Sequence, residues 1–340
     1  MTDPGPGMRE NAKPAEVFIS PTGAPMDVVH QAEGGLPPSG PEDFEVALES
    51  LNQWQIAWRR FKRHRLALIG SVIIFVMVLL AIFGPIIWPY NRLDLKPISK
   101  PGGNPPGWLQ NPRTLADPFG TDNGGRSVFV LTVNGARLSM LIGLGTTVIA
   151  VTIGVIVGSF AGFFGGRVDG ALMRFVDLML TIPFLFVILV AARFFGAGDP
   201  IVLTVIFGLL FWPGLARLVR ALFLSLREQD FVHAARAVGV SDVRITFRHI
   251  LPNALGPIIV SATLLVASAI VTEAFVSFLN FGLKATDISW GNALANSQQY
   301  QVLGNWWWAF FPGMAIALTV TAINFMGDGL RDALDPRSKE

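Results

Sequence analysis

Few residues in this chain are placed to do chemistry. The largest group is AARAVGVSDVRITFRHILPN, residues 234–253, which carries three arginines, an aspartate and a histidine between two long apolar runs. Glu273 is the single charge within the apolar run 253–283. A charge near the centre of a membrane helix costs about 2.5–3.5 kcal/mol on insertion scales. Glu273 therefore either lines a transport pathway or hydrogen-bonds a neighbouring helix. Catalytic patterns are missing. No GxxxxGK[ST] loop is present to cradle a nucleotide phosphate, and no HExxH pair to hold zinc. There is no cysteine, hence no thiolate and no disulfide. His30, His64, His233 and His249 all lie outside the apolar runs, so Ser159 in IVGSF has no base beside it and reads as a packing residue. These residues suit binding and transport and argue against an enzyme.

The elements that must position them are membrane helices. Of the 340 residues 51% are hydrophobic and 15% charged, with mean hydropathy +0.51. Soluble domains carry about 25% charged residues. Six apolar runs, 66–88, 138–166, 171–195, 200–216, 253–283 and 306–327, approach or exceed the ~20 residues that span a bilayer. The expectation is an all-α membrane protein with six transmembrane helices. Pro183, Pro213 and Pro312 interrupt helical patterns, which neighbouring membrane helices tolerate. Gly154, Gly158 and Gly162 recur every four residues, a spacing that lets helix backbones approach closely. The second run is thus expected inside the bundle. Asp177, three residues after Arg174, reads as a local ion pair.

Residues 1–43 are rich in Pro, Gly and small polar residues and lack the basic start and apolar run of a signal peptide, so they read as a disordered tail. Residues 44–65 place Trp54, Trp58 and Phe61 beside RRFKRHR, as in an amphipathic interfacial helix; a solvated helix with positive anchors is the plainer reading. Lys and Arg concentrate on one set of short loops, which places both termini and residues 217–252 in the cytoplasm and 89–137 outside. Residues 331–340 form a short internal tail.

Within the polar insert, REQDFVHAARAVG predicts a helix closed by Gly239 in a left-handed cap. Ser241 then caps DVRITFRHIL, and Pro252 opens the next span. The result is a hairpin of two short helices. Ile245, Phe247 and Ile250 offer apolar anchors, while Arg236, Asp242, Arg244 and Arg248 offer charge. Three uses compete: a helix-turn-helix for DNA, a docking hairpin for a cytoplasmic partner, or a plain connector. About 30 residues leave no room for the further helices that present a recognition helix. The net charge of +2 suggests no nucleic-acid partner either.

The insert resembles the loop shared by permease subunits of binding-protein-dependent ABC importers, in which EAA is followed after three residues by Gly and later by Leu-Pro. Here the pattern reads His233-Ala234-Ala235, Gly239, His249 and Leu251-Pro252, with His233 where the family has glutamate. Residues 119–140, FGTDNGGRSVFVLTVNGARLSM, are similar to the outer-loop signature of the C-type (DppC/OppC-like) subunit of dipeptide, oligopeptide and nickel importers. Its matching positions are Gly120, Thr121, Asp122, Gly125, Arg126, Gly135 and Arg137; Ser127 replaces the usual aspartate and Asn134 a common tyrosine. NFMGDGLRDALDPR also resembles a family segment, and the likeness covers residues 50–337.

The resemblance implies half of a translocation pathway in a bacterial plasma membrane. The partners would be a second homologous permease, two cytoplasmic P-loop ATPases holding ATP and Mg, and an extracytoplasmic solute-binding protein. This chain would bind no cofactor, metal or nucleic acid. His233, Ala234, Ala235, Arg236, Gly239, Asp242, Phe247, Leu251 and Pro252 would form the ATPase-coupling loop. Peptides are the first expectation for the solute, with nickel and other small solutes as alternatives. A six-helix transporter or channel without ATPases is the alternative mechanism.

The charge bias has a direct test. Topology reporters fused at Gly40, Ser241 and Lys339 are expected to read as internal, and one at Gly103 as external. An external signal at Ser241 would invert the orientation.

Overall fold

Backbone amides cannot stay unpaired in hydrocarbon, and the apolar runs fold into helices. The computed structural model describes residues 53–91, 94–99, 102–110, 113, 117–195, 198–298 and 304–334. The expected tail 1–43, the start of the expected interfacial helix at 44–52, and residues 335–340 lie outside the described residues.

The helices are α1 (Gln53–Arg63), α2 (Arg65–Ile87), α3 (Val128–Phe164), α4 (Gly166–Thr181), α5 (Phe184–Phe195), α6 (Pro200–Leu226), α7 (Asp230–Ala237), α8 (Asp242–Arg244), α9 (Leu251–Phe278), α10 (Trp290–Ser297) and α11 (Trp307–Leu334). A π-turn, Ile245–Ile250, joins α8 to α9. Only isolated bridges, Thr121 with Ser127 and Gly198 with Leu283, represent β structure among the described residues. Among the described residues five helices, counting α8 to α9 as one, are long and apolar enough to cross a membrane, or six if the bent pair α4–α5 makes one span.

Several boundaries differ from the apolar runs. α3 begins at Val128 and not near residue 138, and α6 continues past residue 216 to Leu226. Arg137, Arg217 and Arg220 end the apolar runs without ending the helices. The 37 residues of α3 reach about 56 Å at 1.5 Å per residue, well beyond the ~30 Å hydrocarbon layer. The loop expected at 89–137 is correspondingly shorter. The run 171–195 is not one straight helix: α4 and α5 meet at 77°. Pro183 lacks an amide, and Ile182 before it is extended, as a residue preceding proline prefers.

α3 is the central helix, and its closest neighbour is α6. A Cβ on Gly154 would lie 3.0 Å from Leu215 Cβ, one on Gly158 2.5 Å from the Ala216 carbonyl oxygen, and one on Gly162 2.6 Å from Phe223 Cβ. The glycine stripe thus brings the two backbones together. α4 is tied to α6 by Arg220–Asp169 and by Arg217 Nη2 to Asp177 Oδ1 at 2.5 Å. Asp177 therefore pairs across helices, not with Arg174 as expected from their spacing. Along one helix the two are neighbours, but the partner on α6 is the one in contact.

At the other flank, α1 lies on α11. Ala57 and Phe61 are buried with Ala67 and Ala333, while Trp58 stays exposed. His64 Nδ1 accepts from the Ala67 amide at 3.1 Å and so caps α2 where α1 ends.

The α3–α6 seam predicts opposite outcomes for two alanine substitutions. Gly158→Ala forces an overpacked contact, at about 1–3 kcal/mol. Gly170 is exposed on α4, and a methyl group there would meet nothing within 4 Å. As Ala it gains helix propensity of up to ~1 kcal/mol. Thermal unfolding of the purified chain in nanodiscs is expected to fall for the first variant and hold or rise for the second.

Candidate functional site

The polar insert forms one end of the bundle. Arg227, the C-cap of α6, donates through Nη1 to the carbonyls of Gly162 (3.2 Å) and Phe163 (3.4 Å). These are carbonyls of the last turn of α3, which leave the helical ladder and carry the negative end of its dipole. α7 follows directly. Eight residues are too few for a stable isolated helix, so packing must hold it. Val232 and Ala235, three apart, are its buried residues. They join Phe163 of α3, Leu215, Val219 and Phe223 of α6, Ile245 and Ile250 of the π-turn, and Ala254 and Ile258 of α9 in one cluster. The Arg236 guanidinium lies 5.5 Å from the Phe163 ring centre, a cation–π contact.

The turn after α7 is a Schellman motif. Gly239 has φ +78°, its amide donates to Arg236 O at 2.9 Å, and the Val240 amide donates to Ala235 O at 3.1 Å. Ser241 occupies the N-cap of α8, but its side chain makes no capping bond; the Ile245 amide uses its carbonyl instead.

The second arm departs from the expected separate short helix. Residues Asp242–Phe278 run as one helix of 37 residues through the π-turn. Pro252 supplies no amide and would clash with the carbonyl four residues earlier in a regular helix. The wider turn relieves this: the Leu251 amide bonds Thr246 O, five residues back. Asn253 Nδ2 then takes His249 O at 2.6 Å. The insert is therefore one short helix folded against the projecting start of a span.

The outward side of this assembly collects most of the expected coupling residues. His233, Ala234, Arg236, Gly239, Asp242, Phe247 and Pro252 are exposed, Leu251 is half-buried, and Ala235 is buried. Four apolar side chains share the exposed side: Phe231, Val238 at 79% exposure, Val243 at 63% and Phe247 at 45%. Charged Arg244 and Arg248 lie among them, both exposed. This mixture of large apolar and basic groups on a buried foundation suits a protein partner better than plain solvent.

The outer-loop residues gather at the opposite end. Gly120, at φ +78°, lies under Trp307 of α11, where a Cβ would be 2.9 Å from the indole nitrogen. Thr121 is buried: its hydroxyl accepts from Asn104 N at 2.7 Å and its carbonyl from Trp307 Nε1 at 3.2 Å. Asp122 Oδ1 accepts from the amides of Gly124 and Arg126, both at 2.8 Å. Burial pushes the Asp122 carboxyl above its ordinary range, opposed by those two amides. Gly125, at φ +77°, lies against the Lys96 backbone. Gly135 lets α10 approach α3, a Cβ there being 3.1 Å from Trp290 N, while Arg137 is exposed on α3.

Glu273 is fully buried and belongs to neither cluster. Its Oε2 accepts from Ser139 of α3 at 3.1 Å, its Oε1 from Ser277 at 3.0 Å, and Ser289 is a third hydrogen-bond partner. Trp290 reinforces the node: its amide donates to Ser139 Oγ at 3.2 Å and its indole to Thr132 O at 2.8 Å. The carboxyl thus joins α3, α9 and the start of α10. Sequence reading missed Ser139, Ser277 and Ser289 as its partners, Trp290 as the residue behind Ser139, and α10 altogether. Ser277 stands four residues from Glu273, a spacing that does bring helix neighbours together, but nothing in local spacing marks the contacts of Ser139 with Glu273 and Trp290, more than 130 positions apart.

Comparisons with known proteins agree with this architecture. Residues 154–340 match the family described as binding-protein-dependent transport system inner membrane component. Residues 52–102 match the N-terminal TM domain of oligopeptide transport permease C. The dipeptide transport system permease protein DppC of Bacillus subtilis (strain 168) is 38% identical over 300 residues, covering 87% of this chain and 89% of its own. The oligopeptide transport system permease protein OppC of the same strain is 37% identical over 300 residues, covering 87% and 93%. The dipeptide permease DppC of Alkalihalophilus pseudofirmus is 38% identical over 307 residues, covering 90% and 96%.

The Glu273 geometry separates a structural role from a pathway role. Glu273→Gln keeps the shape and an acceptor, whereas Glu273→Leu strands the hydroxyls of Ser139 and Ser277, at about 1–3 kcal/mol for each group left unsatisfied. The expected result is near-normal folding and solute uptake for Gln, with reduced thermal stability for Leu. A Gln variant that folds normally but transports nothing would place the carboxyl on the pathway.

Proposed function

We propose, from the premise that this chain belongs to the binding-protein-dependent transport system inner membrane component family, that it is the C-type permease subunit of an ATP-driven peptide importer. It is a multi-pass inner-membrane transport component and not an enzyme. The relatives are named as dipeptide and oligopeptide permeases. Carried to this chain, those names make the solute a short peptide. They also favour an importer subunit over a stand-alone six-helix transporter. The partner set is a second homologous permease, two cytoplasmic P-loop ATPases with ATP and Mg, and an extracytoplasmic solute-binding protein. The α7 end faces the cytoplasm, in keeping with the basic residues there, and the outer loop faces the binding protein.

The observation that carries the coupling role is the foundation of α7. Its buried side touches α3, α6 and α9 at once, and α8 continues into α9. A partner that displaces the exposed side therefore moves three spans together. Coupling requires contacts that differ between two states, and a rigid lever on packed helices converts such a difference into a change of the pathway.

The test separates docking from folding. Val238→Asp alters a side chain that is 79% exposed, so stability should change by less than about 0.5 kcal/mol. Ala235→Trp overfills a buried position, at about 1–3 kcal/mol, equal to roughly 5- to 150-fold in a coupling equilibrium. Gly239→Val places a branched side chain at φ +78°. All three are expected to reduce ATPase co-purification or stimulation and to reduce uptake, Val238→Asp without loss of thermal stability. Wild-type uptake by all three at normal expression would make the insert a connector. The purified chain alone should hydrolyse no ATP.

A further inference from the structure

The loop around Arg126 is built more firmly than a covering loop needs. Gly120 and Gly125 fix its bends in the left-handed region. The Asp122 amide donates to the Arg126 carbonyl at 2.8 Å, while Asp122 Oδ1 holds the Arg126 amide. The Lys96 amide donates to Gly125 O at 2.9 Å, and the Val128 amide to Gly120 O at 2.9 Å. The Arg126 backbone is thus held on both sides.

Its guanidinium is less well held: Nε is buried and, among the described residues, has no hydrogen-bond partner. Among the described residues no carboxylate lies within ion-pair distance of it. Asp122 acts on it electrostatically, but its Oδ1 is engaged by backbone amides. A buried donor without a partner is rare and costly. Arg126 lines an open cavity of about 410 Å³, walled by Trp88, Tyr90 and Phe129, with Lys96 and Asp117 on its polar side. Lys96 and Asp117 pair with each other. Asp94 also lines the cavity, but it is exposed, so water screens it. The charge left to be answered is that of Arg126.

We infer that this cavity is a carboxylate-binding site, and that its occupant is an aspartate or glutamate side chain of the docking solute-binding protein. The planar guanidinium presents paired donors that match a carboxylate. The walls come from the end of α2, the start of α3 and the loop between them; α6, α9, α10 and α11 contribute none. The cavity is therefore on the flank of the bundle end, away from α6, α9, α10 and α11. Its polar side comes from loop residues beyond the apolar run of α2, which places it above the acyl region of a bilayer. The inference rests on the importer reading, because the partner is the one that reading supplies.

The experiment uses the complete importer in nanodiscs, with ATP hydrolysis followed as loaded binding protein is titrated. Arg126→Gln is expected to raise the half-stimulating concentration of binding protein about tenfold or more, as loss of a charge-assisted bidentate contact does. Arg126→Lys should restore part of that loss, since it keeps the charge without the fork. Acidic residues of the binding protein are then replaced singly by Ala. One of them should cause a similar shift in the wild-type importer and no further shift with Arg126→Gln. A photocrosslinking side chain at Val130, another lining residue, should capture the binding protein without perturbing Arg126. An unchanged half-stimulating concentration, or no crosslink, would overturn the inference. So would a shift seen only with peptides bearing a free C-terminal carboxylate, which would make the cavity a solute site. A shift that follows the anionic-lipid content of the nanodisc would assign it to a phosphate headgroup instead. Failure of the wild-type complex to respond to binding protein would remove the importer reading and this inference with it, whereas a normal wild-type response with an unaffected Arg126→Gln sinks this inference alone.

Discussion

The contact on which the other parts depend is the close approach of α3 and α6. Lipid tails are as apolar as leucine, so helices in a bilayer gain little from hydrophobic burial against each other. They must gain from close packing and from hydrogen bonds. Gly154, Gly158 and Gly162 supply the packing, because a methyl group at any of them would meet Leu215, Ala216 or Phe223. α4 is fastened to that pair by two arginine–aspartate contacts. α7 rests where the seam ends, on Phe163 and Phe223.

Polar groups do the remaining fastening. Glu273 would be expensive in hydrocarbon alone. With Ser139, Ser277 and Ser289 around it, the carboxyl instead joins α3, α9 and α10. Near the bundle's end, Trp307 and Asn104 take up the polar groups of Thr121. The resulting body is tied by the Glu273 and Thr121 hydrogen bonds toward one end and by the apolar α7 cluster with its arginine contacts at the other. A body tied in this way can transmit a displacement along its helices.

The proposed coupling role of the insert between α6 and α9 would draw on that property. An α-helical turn carrying Pro252 would leave a clash and an unpaired carbonyl. The π-turn eases the clash, the Asn253 side chain takes the neighbouring His249 carbonyl, and α8 stays continuous with α9. The surface proposed to meet a partner is therefore the projecting end of a long apolar helix, joined to a short helix by the left-handed Gly239. That gives a physical reason for the glycine and for the Leu-Pro pair in a loop of the binding-protein-dependent transport family.

Much of this was written locally. Apolar length specified membrane helices, glycine spacing specified a packing face, and Gly239 specified a left-handed turn. The type of each of these elements follows from the backbone's own preferences or from the solvent it meets. Helix ends were less legible, since Arg137, Arg217 and Arg220 mark where lipid stops and not where hydrogen bonding stops. The bend at Pro183 was visible as an interruption, but its 77° angle was not. The pairing of Asp177 with Arg217, the bond from Ser139 to Glu273, the existence of α10, and the unpartnered Nε of Arg126 were set by tertiary structure alone. Each depends on side chains brought together from distant parts of the chain, and the free energy of a buried charge is decided by what surrounds it in space.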